Sequence, residues 1–339
     1  MIMVGPDPDF SGGIETVIRN FKSLSSDDLE IDNLVSWRPN SFFGLLPFLK
    51  SIICIIRLRK RRNFVLFHFH FGHGGSFLRE STLAWVARLI GFRAIATMHG
   101  HNFSELTNPI WKNTLKRFVF PALDMIFVLS PKALHLIESM GRIPILTPNP
   151  LMSEPNLVNY SERDDYLFFA GRIEKRKGLD LLIQVWPKVA SLYPHLRLYI
   201  AGPEGDVSIA EFSKLLNVEY LGVLKPVEVS NFSSHALAVV LPSRNEQSPL
   251  LLWEAMASGT NIVASRAGGI SWMLGENYPF LMDSIDEGSL LAKILDLMQS
   301  RDDLESAGNI LHNRAKQASP TVFLSKYKEY ISVFEKEQG

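Results

Sequence analysis

Cysteine is almost missing from this chain: Cys54 is the only one in 339 residues. That excludes a disulfide framework and a cysteine-built zinc site. No run of about 18 uncharged apolar residues occurs, so a membrane-spanning helix is not expected. Met1 opens a short apolar strand pattern rather than a signal peptide, and the expected compartment is cytoplasmic. Internal repeats and low-complexity tracts are missing as well. So is the dinucleotide fingerprint G-x-G-x-x-G after the first strand pattern, which counts against a nicotinamide enzyme. Formal net charge is zero, with 35 Lys/Arg against 35 Asp/Glu. The balance is uneven along the chain. Residues 1–150 hold 17 Lys/Arg and 11 Asp/Glu, and residues 151–339 hold 18 and 24. An acidic second half argues against general nucleic-acid binding, while a basic first half suits an anionic surface.

What the chain contains is an ordered globular composition, 46% hydrophobic and 21% charged, with length enough for two cores. Apolar strand patterns stand at residues 2–5, 65–69, 93–98, 125–129 and 143–147, then at 166–170, 197–201, 219–223, 237–241 and 261–265. Helical patterns at 14–24, 78–90, 131–140 and 179–192 separate many of them. Such alternation predicts parallel, right-handed, doubly wound sheets. Pro148-Asn149-Pro150 opens a polar segment and marks the expected boundary between two α/β domains, 1–150 and 151–320, facing a cleft. A last helix, within 321–339, is expected to pack back towards the first domain.

The densest chemistry lies between Leu237 and Ser258. A buried strand ends at Pro242, Ser243 to Gln247 form a polar loop, and Ser248-Pro249 reads as a capping hydroxyl followed by a first-turn proline. Leu250 then begins a helix that Gly259 stops. Glu246 and Glu254 bracket the turn across a helix rise of about 9 Å, a spacing that lines one side of a ligand-sized crevice. Unpaired N–H groups and the helix dipole make this edge favourable for an anion. Each glutamate alone also reads plainly, as a loop acid and a locally paired acid.

Gly171, Arg172, Lys177 and Gly178 frame a second strand-to-helix turn. A guanidinium and an ammonium there can hold a diphosphate and neutralise charge on a diphosphate leaving group; the plain alternative is a solvated basic turn. Gly12-Gly13 precedes a helix and allows close approach of a phosphate, or forms a simple turn. His99-Gly100 ends a strand at the same kind of edge, as do His68, His70 and His73. No carboxylate accompanies these histidines, so no metal site is expected. From Phe42 to Arg62, ten large apolar residues lead into Arg57, Arg59, Lys60, Arg61 and Arg62. An apolar helix ending in cations suits contact with an anionic membrane surface; a core helix with a solvated basic end is the alternative.

Taken together and in this order, the motifs resemble the retaining glycosyltransferases of family 4, with the GT-B fold. G-R-x-x-x-x-K-G stands as Gly171, Arg172, Lys177 and Gly178; E-x7-E stands as Glu246 and Glu254; Gly268-Gly269-Ile270 matches a downstream G-G-I segment. Gly12-Gly13 fits the family's glycine loop, and His99, Gly100 and Phe103 fit H-G-x-x-F. The matches run from about residue 5 to residue 275. The resemblance implies an N-terminal acceptor domain and a C-terminal nucleotide-sugar domain. It implies that Arg172 and Lys177 hold the donor diphosphate, with Gly13 and the Ser248, Pro249, Leu250 turn beside it. Glu254 would take ribose hydroxyls, Glu246 the sugar hydroxyls, and His99 would sit near the reacting carbon. No metal or cofactor is required, and attack comes from the face of the departing phosphate. Gln247 departs from the glycine common after the first glutamate, and Ser271-Trp272 from a Pro-Glu. Phe67 to His70, Gly75-Ser76-Phe77 and H-G-x-x-F look like bacterial polysaccharide-assembly enzymes. The expectation is thus a UDP-sugar (or GDP-sugar) donor, a lipid-linked saccharide acceptor, and a peripheral place on the inner face of the cytoplasmic membrane. The competing readings are a non-catalytic nucleotide-sugar-binding partner and a GT-B nucleotide-sugar epimerase.

Overall fold

A computed structural model describes residues 1–10, 12–38, 45–100 and 108–336. Phe42, Phe43 and Phe103 of the motifs above lie outside the described residues. The chain forms two compact units, Met1–Met152 with the chain from Pro320 onward, and Ser153–Ser319.

In the first unit six strands form one parallel sheet: β1 (Ile2–Pro6), β2 (Asp32–Trp37), β3 (Leu66–Phe71), β4 (Arg93–Met98), β5 (Met125–Val128) and β6 (Ile145–Leu146). Their order is β2-β1-β3-β4-β5-β6. Period-two alternation sorts β3 into two faces. Phe67, Phe69 and Phe71 enter a core with Leu83, Ala84 and Ala87 of the helix Gly75–Ile90. His68 and His70 occupy the other face, their rings stacked 4.5 Å apart. The helix Pro320–Ile331 belongs to this unit and buries Phe323, Tyr327 and Ile331, an i, i+4, i+8 stripe. Burial of apolar side chains this large stabilises by roughly 1.5–3 kcal/mol each. Lys328 Nζ reaches Asp28 at 2.7 Å, and Tyr327 OH lies 2.7 Å from His68 Nδ1.

The second unit is a five-stranded parallel sheet: β7 (Asp164–Ala170), β8 (Arg197–Ala201), β9 (Val218–Tyr220), β10 (Ala236–Leu241) and β11 (Asn261–Ala264), in the order β11-β10-β7-β8-β9. Every residue of β10 is buried, as expected of a strand covered on both faces. Strand order reverses between β7 and β10 here, and between β1 and β3 in the first unit. Ligands of open α/β sheets collect at the carboxyl ends beside such switch points.

The doubly wound reading holds for both sheets, with local differences. Strand β2 escaped the sequence reading because it is a half-exposed edge strand whose register comes from β1. The pattern at 143–147 yields only Ile145–Leu146, since Ile143 is almost fully exposed. The pattern at 219–223 ends at Tyr220, before Gly222 turns the chain with φ of 74°. The last helical pattern divides into Pro320–Ile331 and Val333–Lys336.

Candidate active site

The loops leaving β7 and β10 are tied together by backbone geometry. After Arg172 the chain makes a 3-10 turn, Lys175–Lys177, and passes through Gly178 at φ of 79°. A Cβ on Gly178 would stand 2.2 Å from the carbonyl oxygen of Pro242, so only glycine permits this approach. Arg244 strengthens the tie. Its N–H donates to Arg176 O at 2.8 Å, and its guanidinium takes both oxygens of Asp180 at 2.7 and 2.8 Å.

This closeness brings the motif side chains together. Lys177 Nζ ion-pairs with Glu246 Oε1, both groups largely buried. Ser243 Oγ donates to the same oxygen at 3.1 Å, and Arg176 Nη1 stands 3.9 Å from it while donating to Asn245 O. Gly268, at φ of 60°, would drive a Cβ to 1.4 Å from Glu246 O, and Gly269 N–H donates to that oxygen at 3.2 Å. The G-G-I segment thus grips the backbone of Glu246. Glu254 is half-buried on the helix Leu250–Ala257, and its carboxylate makes no hydrogen bond or ion pair among the described residues. Loss of hydration raises its carboxyl to about 7. Arg172 is exposed and likewise has no partner among the described residues.

Ser248 does not act as the expected N-cap. Pro249, in extended backbone, occupies that position, and Leu250 and Leu251 supply first-turn N–H groups without an intrahelical acceptor. The buried indole of Trp253 needs an acceptor, and Ser248 Oγ receives its N–H at 2.7 Å. Trp272, one of the departures from the family pattern, meets Trp253 edge-on with ring centroids 6.1 Å apart. Gln247 is buried. Ser243, Arg176, Arg244 and Asp180 were not singled out from the sequence; the only signal was their place within or just beyond the two motif loops.

In the first unit Gly13 opens the helix Gly13–Ser23, and a Cβ there would meet nothing within 4 Å. His99 follows β4 directly, and its N–H donates to Phe71 O at 2.9 Å. Its Nε2 lies 2.8 Å from His70 Nδ1, and His70 Nε2 lies 3.3 Å from Met3 Sδ. His68 Nε2 meets Thr97 Oγ1 at 2.7 Å. Burial lowers the histidines at 68 and 99 to about 3 and holds His70 well below its ordinary value. All three imidazoles are therefore neutral at physiological pH. Among the described residues no three metal-ligating side chains are grouped to hold a metal.

The helix Leu45–Arg57 has two apolar faces. Phe48, Ile52 and Ile55 pack on the core, whereas Leu46, Leu49, Ile53 and Ile56 recur at spacings of three and four and are 43–50% exposed. Lys50 and Arg57 on the helix, and Arg59 to Arg62 after it, are exposed too. Among the described residues no helix is long and apolar enough to cross a membrane.

These features define a protein of two parallel α/β domains with polar chemistry at each carboxyl edge. Residues 156–317, just under half of the chain, match the family described as glycosyl transferases group 1. The chain is 26% identical over 250 residues to the phosphatidylinositol N-acetylglucosaminyltransferase gpi3 subunit of Schizosaccharomyces pombe, covering 69% of this chain and 52% of that protein. It is 28% identical over 194 residues to the lipopolysaccharide 1,2-N-acetylglucosaminetransferase of Salmonella typhimurium, covering 53% of this chain and 49% of that one. It thus spans about half the length of these curated relatives. Sucrose-phosphate synthase from Thermosynechococcus elongatus matches over 99% of both chains, with a TM-score of 0.77 and 16% identity. HepE of Anabaena, solved with UDP and glucose, matches over 98% of this chain and 99% of its own, with a TM-score of 0.73 and 14% identity. The fold is GT-B. The family match lies within the second unit, and the structural matches span both units.

Proposed function

We propose that this chain is a retaining, metal-independent glycosyltransferase that moves a sugar from a UDP-sugar to a lipid-linked saccharide acceptor in bacterial cell-surface polysaccharide assembly. The observation that carries this reading is the meeting of two motif loops at one strand edge, with the Lys177 ammonium on the Glu246 carboxylate. An N-acetylglucosaminyl donor is favoured, because both relatives above are named for that transfer. UDP is favoured over GDP because HepE was solved with UDP.

In this reading the donor diphosphate takes Lys177 away from Glu246 and recruits the exposed Arg172. Glu246, still held by Ser243 and by Gly269 N–H, then accepts from hydroxyls of the donor sugar. The first-turn N–H groups of Leu250 and Leu251 add donors to the phosphates. Together these groups neutralise the charge that grows on the diphosphate as the bond to the sugar breaks. Glu254 accepts from the ribose hydroxyls. The roles of Gly13 towards the phosphates and His99 towards the sugar rest on the family resemblance alone. The apolar stripe and the cations of residues 45–62 support peripheral contact with an anionic membrane, where a lipid-borne acceptor resides.

The test is thermal stabilisation by UDP and GDP with and without magnesium, followed by transfer from radiolabelled UDP-N-acetylglucosamine to a bacterial lipid extract. A midpoint raised by UDP without magnesium, and not raised in Lys177→Ala, is the expected result. No response to any nucleotide overturns the donor-site assignment. The buried Gln247 favours one other reading, a nucleotide-sugar-binding partner without turnover, and UDP binding without transfer to any lipid would select it.

A further inference from the structure

Neutral histidine has one donor nitrogen and one acceptor nitrogen, and which is which depends on what each can meet. His70 is fully buried, with its two ring nitrogens facing Met3 Sδ at 3.3 Å and His99 Nε2 at 2.8 Å. A thioether accepts but cannot donate. If His70 Nε2 lacked its proton, two lone pairs would face each other in a dry site with no compensating bond. The proton therefore sits on Nε2, and His70 Nδ1 is left as an acceptor. His99 must then donate to it from its own Nε2. That leaves His99 Nδ1 unprotonated, and it has no hydrogen-bond partner among the described residues. Neighbours hold the relay in place. His68 stacks on His70 at 4.5 Å, and Phe21 stands edge-on to both rings at 5.3 and 5.6 Å.

We propose that His70, oriented by Met3, is a positioning residue that fixes His99 as its Nε2–H tautomer, so that His99 offers Nδ1 as a neutral acceptor to a substrate hydroxyl. The tautomer relay stands on the geometry; the hydroxyl as its client rests on the transferase reading above. An acceptor without charge suits this task. It orients an O–H without competing for the cations that hold the diphosphate, and it stays available across neutral pH.

The experiment is long-range proton–nitrogen correlation NMR on the full chain labelled at histidine nitrogens, with His99 assigned through His99→Gln. The expected spectrum shows a protonated Nε2 and an unprotonated Nδ1 for His99 from pH 6 to pH 8. His70→Phe removes the acceptor and is expected to collapse this preference into a mixture. His70→Asn, whose amide oxygen stands near the former Nδ1, is expected to restore it. If His70→Phe does not fold, Met3→Leu removes the other end of the relay and is expected to weaken the preference. A His99 that carries its proton on Nδ1, or a tautomer unchanged in both His70→Phe and Met3→Leu, overturns the proposal. None of these outcomes depends on turnover, so they decide the relay even if no transfer is found. Where transfer is found, His70→Phe is expected to lower kcat about tenfold with donor KM unchanged, and His70→Asn to recover most of it. A KM effect without a kcat effect counts against the positioning role.

Discussion

At the carboxyl edge of the second sheet, Lys177 and Arg176 crowd around the buried carboxylate of Glu246, and Arg172 waits exposed on the same loop. At the carboxyl edge of the first sheet stands His99, joined to His70 and backed by the stacked His68, all of them neutral. The histidine cluster of the first sheet is neutral, although the same edge also carries buried Asp7 paired with Arg38 at 2.6 Å. The motif loops of the second sheet are instead built around a buried ion pair. A buried ion pair contributes little net stability once desolvation is counted, and breaking it leaves an expensive unpaired charge. Such a pair is well suited to exchange, because an arriving anion can replace the carboxylate on the lysine. Neutral imidazoles cannot neutralise a leaving group, but they orient hydroxyls without fixed charge. On our proposal the cations of the second unit handle the charge of the leaving group, while hydroxyls are met by Glu246 and Glu254 there and by the neutral His99 of the first unit.

The sharpest way to break this comparison is to remove the charge. Lys177→Ala is expected to lower transfer about a hundredfold or more and to abolish stabilisation by UDP. Unchanged turnover in folded protein would mean that the charged edge serves stability alone. The next effect is on pH dependence. A histidine whose folded pKa lies near 3 against an ordinary 6.5 binds fewer protons folded than unfolded between those values. Stability linked to it is therefore complete above 6.5 and falls as pH drops through the window, by up to about 1.4 kcal/mol per pH unit for each group. After correction for intrinsic rates, hydrogen exchange in β3 and β4 should lose protection below pH 6.5 before β7 and β10 do. Equal loss in both sheets would erase the contrast.

Glu254 tests the second unit with the opposite sign. Its folded pKa of about 7 lies above the ordinary 4.5, so the folded chain keeps a proton that the unfolded chain releases. Stability then falls as pH rises from 4.5 to 7. Glu254→Gln removes this dependence, and the variant's Tm relative to wild type is expected to climb across that window by a few degrees. Nucleotide affinity should drop about tenfold at pH 8, the loss of one charge-assisted hydrogen bond. A Tm difference that is flat with pH would show that the carboxyl is hydrated and titrates normally.

Much of this was legible in local pattern, and what was not is non-local. The helix Leu179–Leu192 and the strand Arg197–Ala201 carry the bounds read from sequence, because dense apolar spacing decides both. Strand β2 was missed because Asp32–Trp37 has a mixed edge-strand composition and pairs only with β1. Alternation put His68 and His70 on one face, but the contact with His99 depends on the register that pairs His70 with Thr97 and Phe71 with Met98. Ser248 was misread because the demand of Trp253 for an acceptor comes from burial, which a Ser-Pro pair does not reveal. The motif glycines were visible, but the reason for Gly178 and Gly268 is a close approach to Pro242 and Glu246, each far away in sequence.

The smallest effect concerns the exposed basic cluster of the first unit. Arg57, Arg59, Lys60, Arg61 and Arg62 are all exposed at and beyond the end of the helix Leu45–Arg57, beside the apolar stripe of that helix. A basic side chain near an anionic bilayer is worth about 1 kcal/mol, so Arg61→Ala should weaken binding to phosphatidylglycerol-containing vesicles about fivefold. It should leave phosphatidylcholine binding and the UDP-induced Tm shift unchanged. Raising the salt concentration should shrink the difference between variant and wild type, because exposed charges are screened within about 10 Å at 0.1 M. A change in the UDP response of Arg61→Ala would carry the basic cluster into ligand handling. The contrast between the neutral histidine cluster of one unit and the charged motif loops of the other would then no longer divide the chemistry.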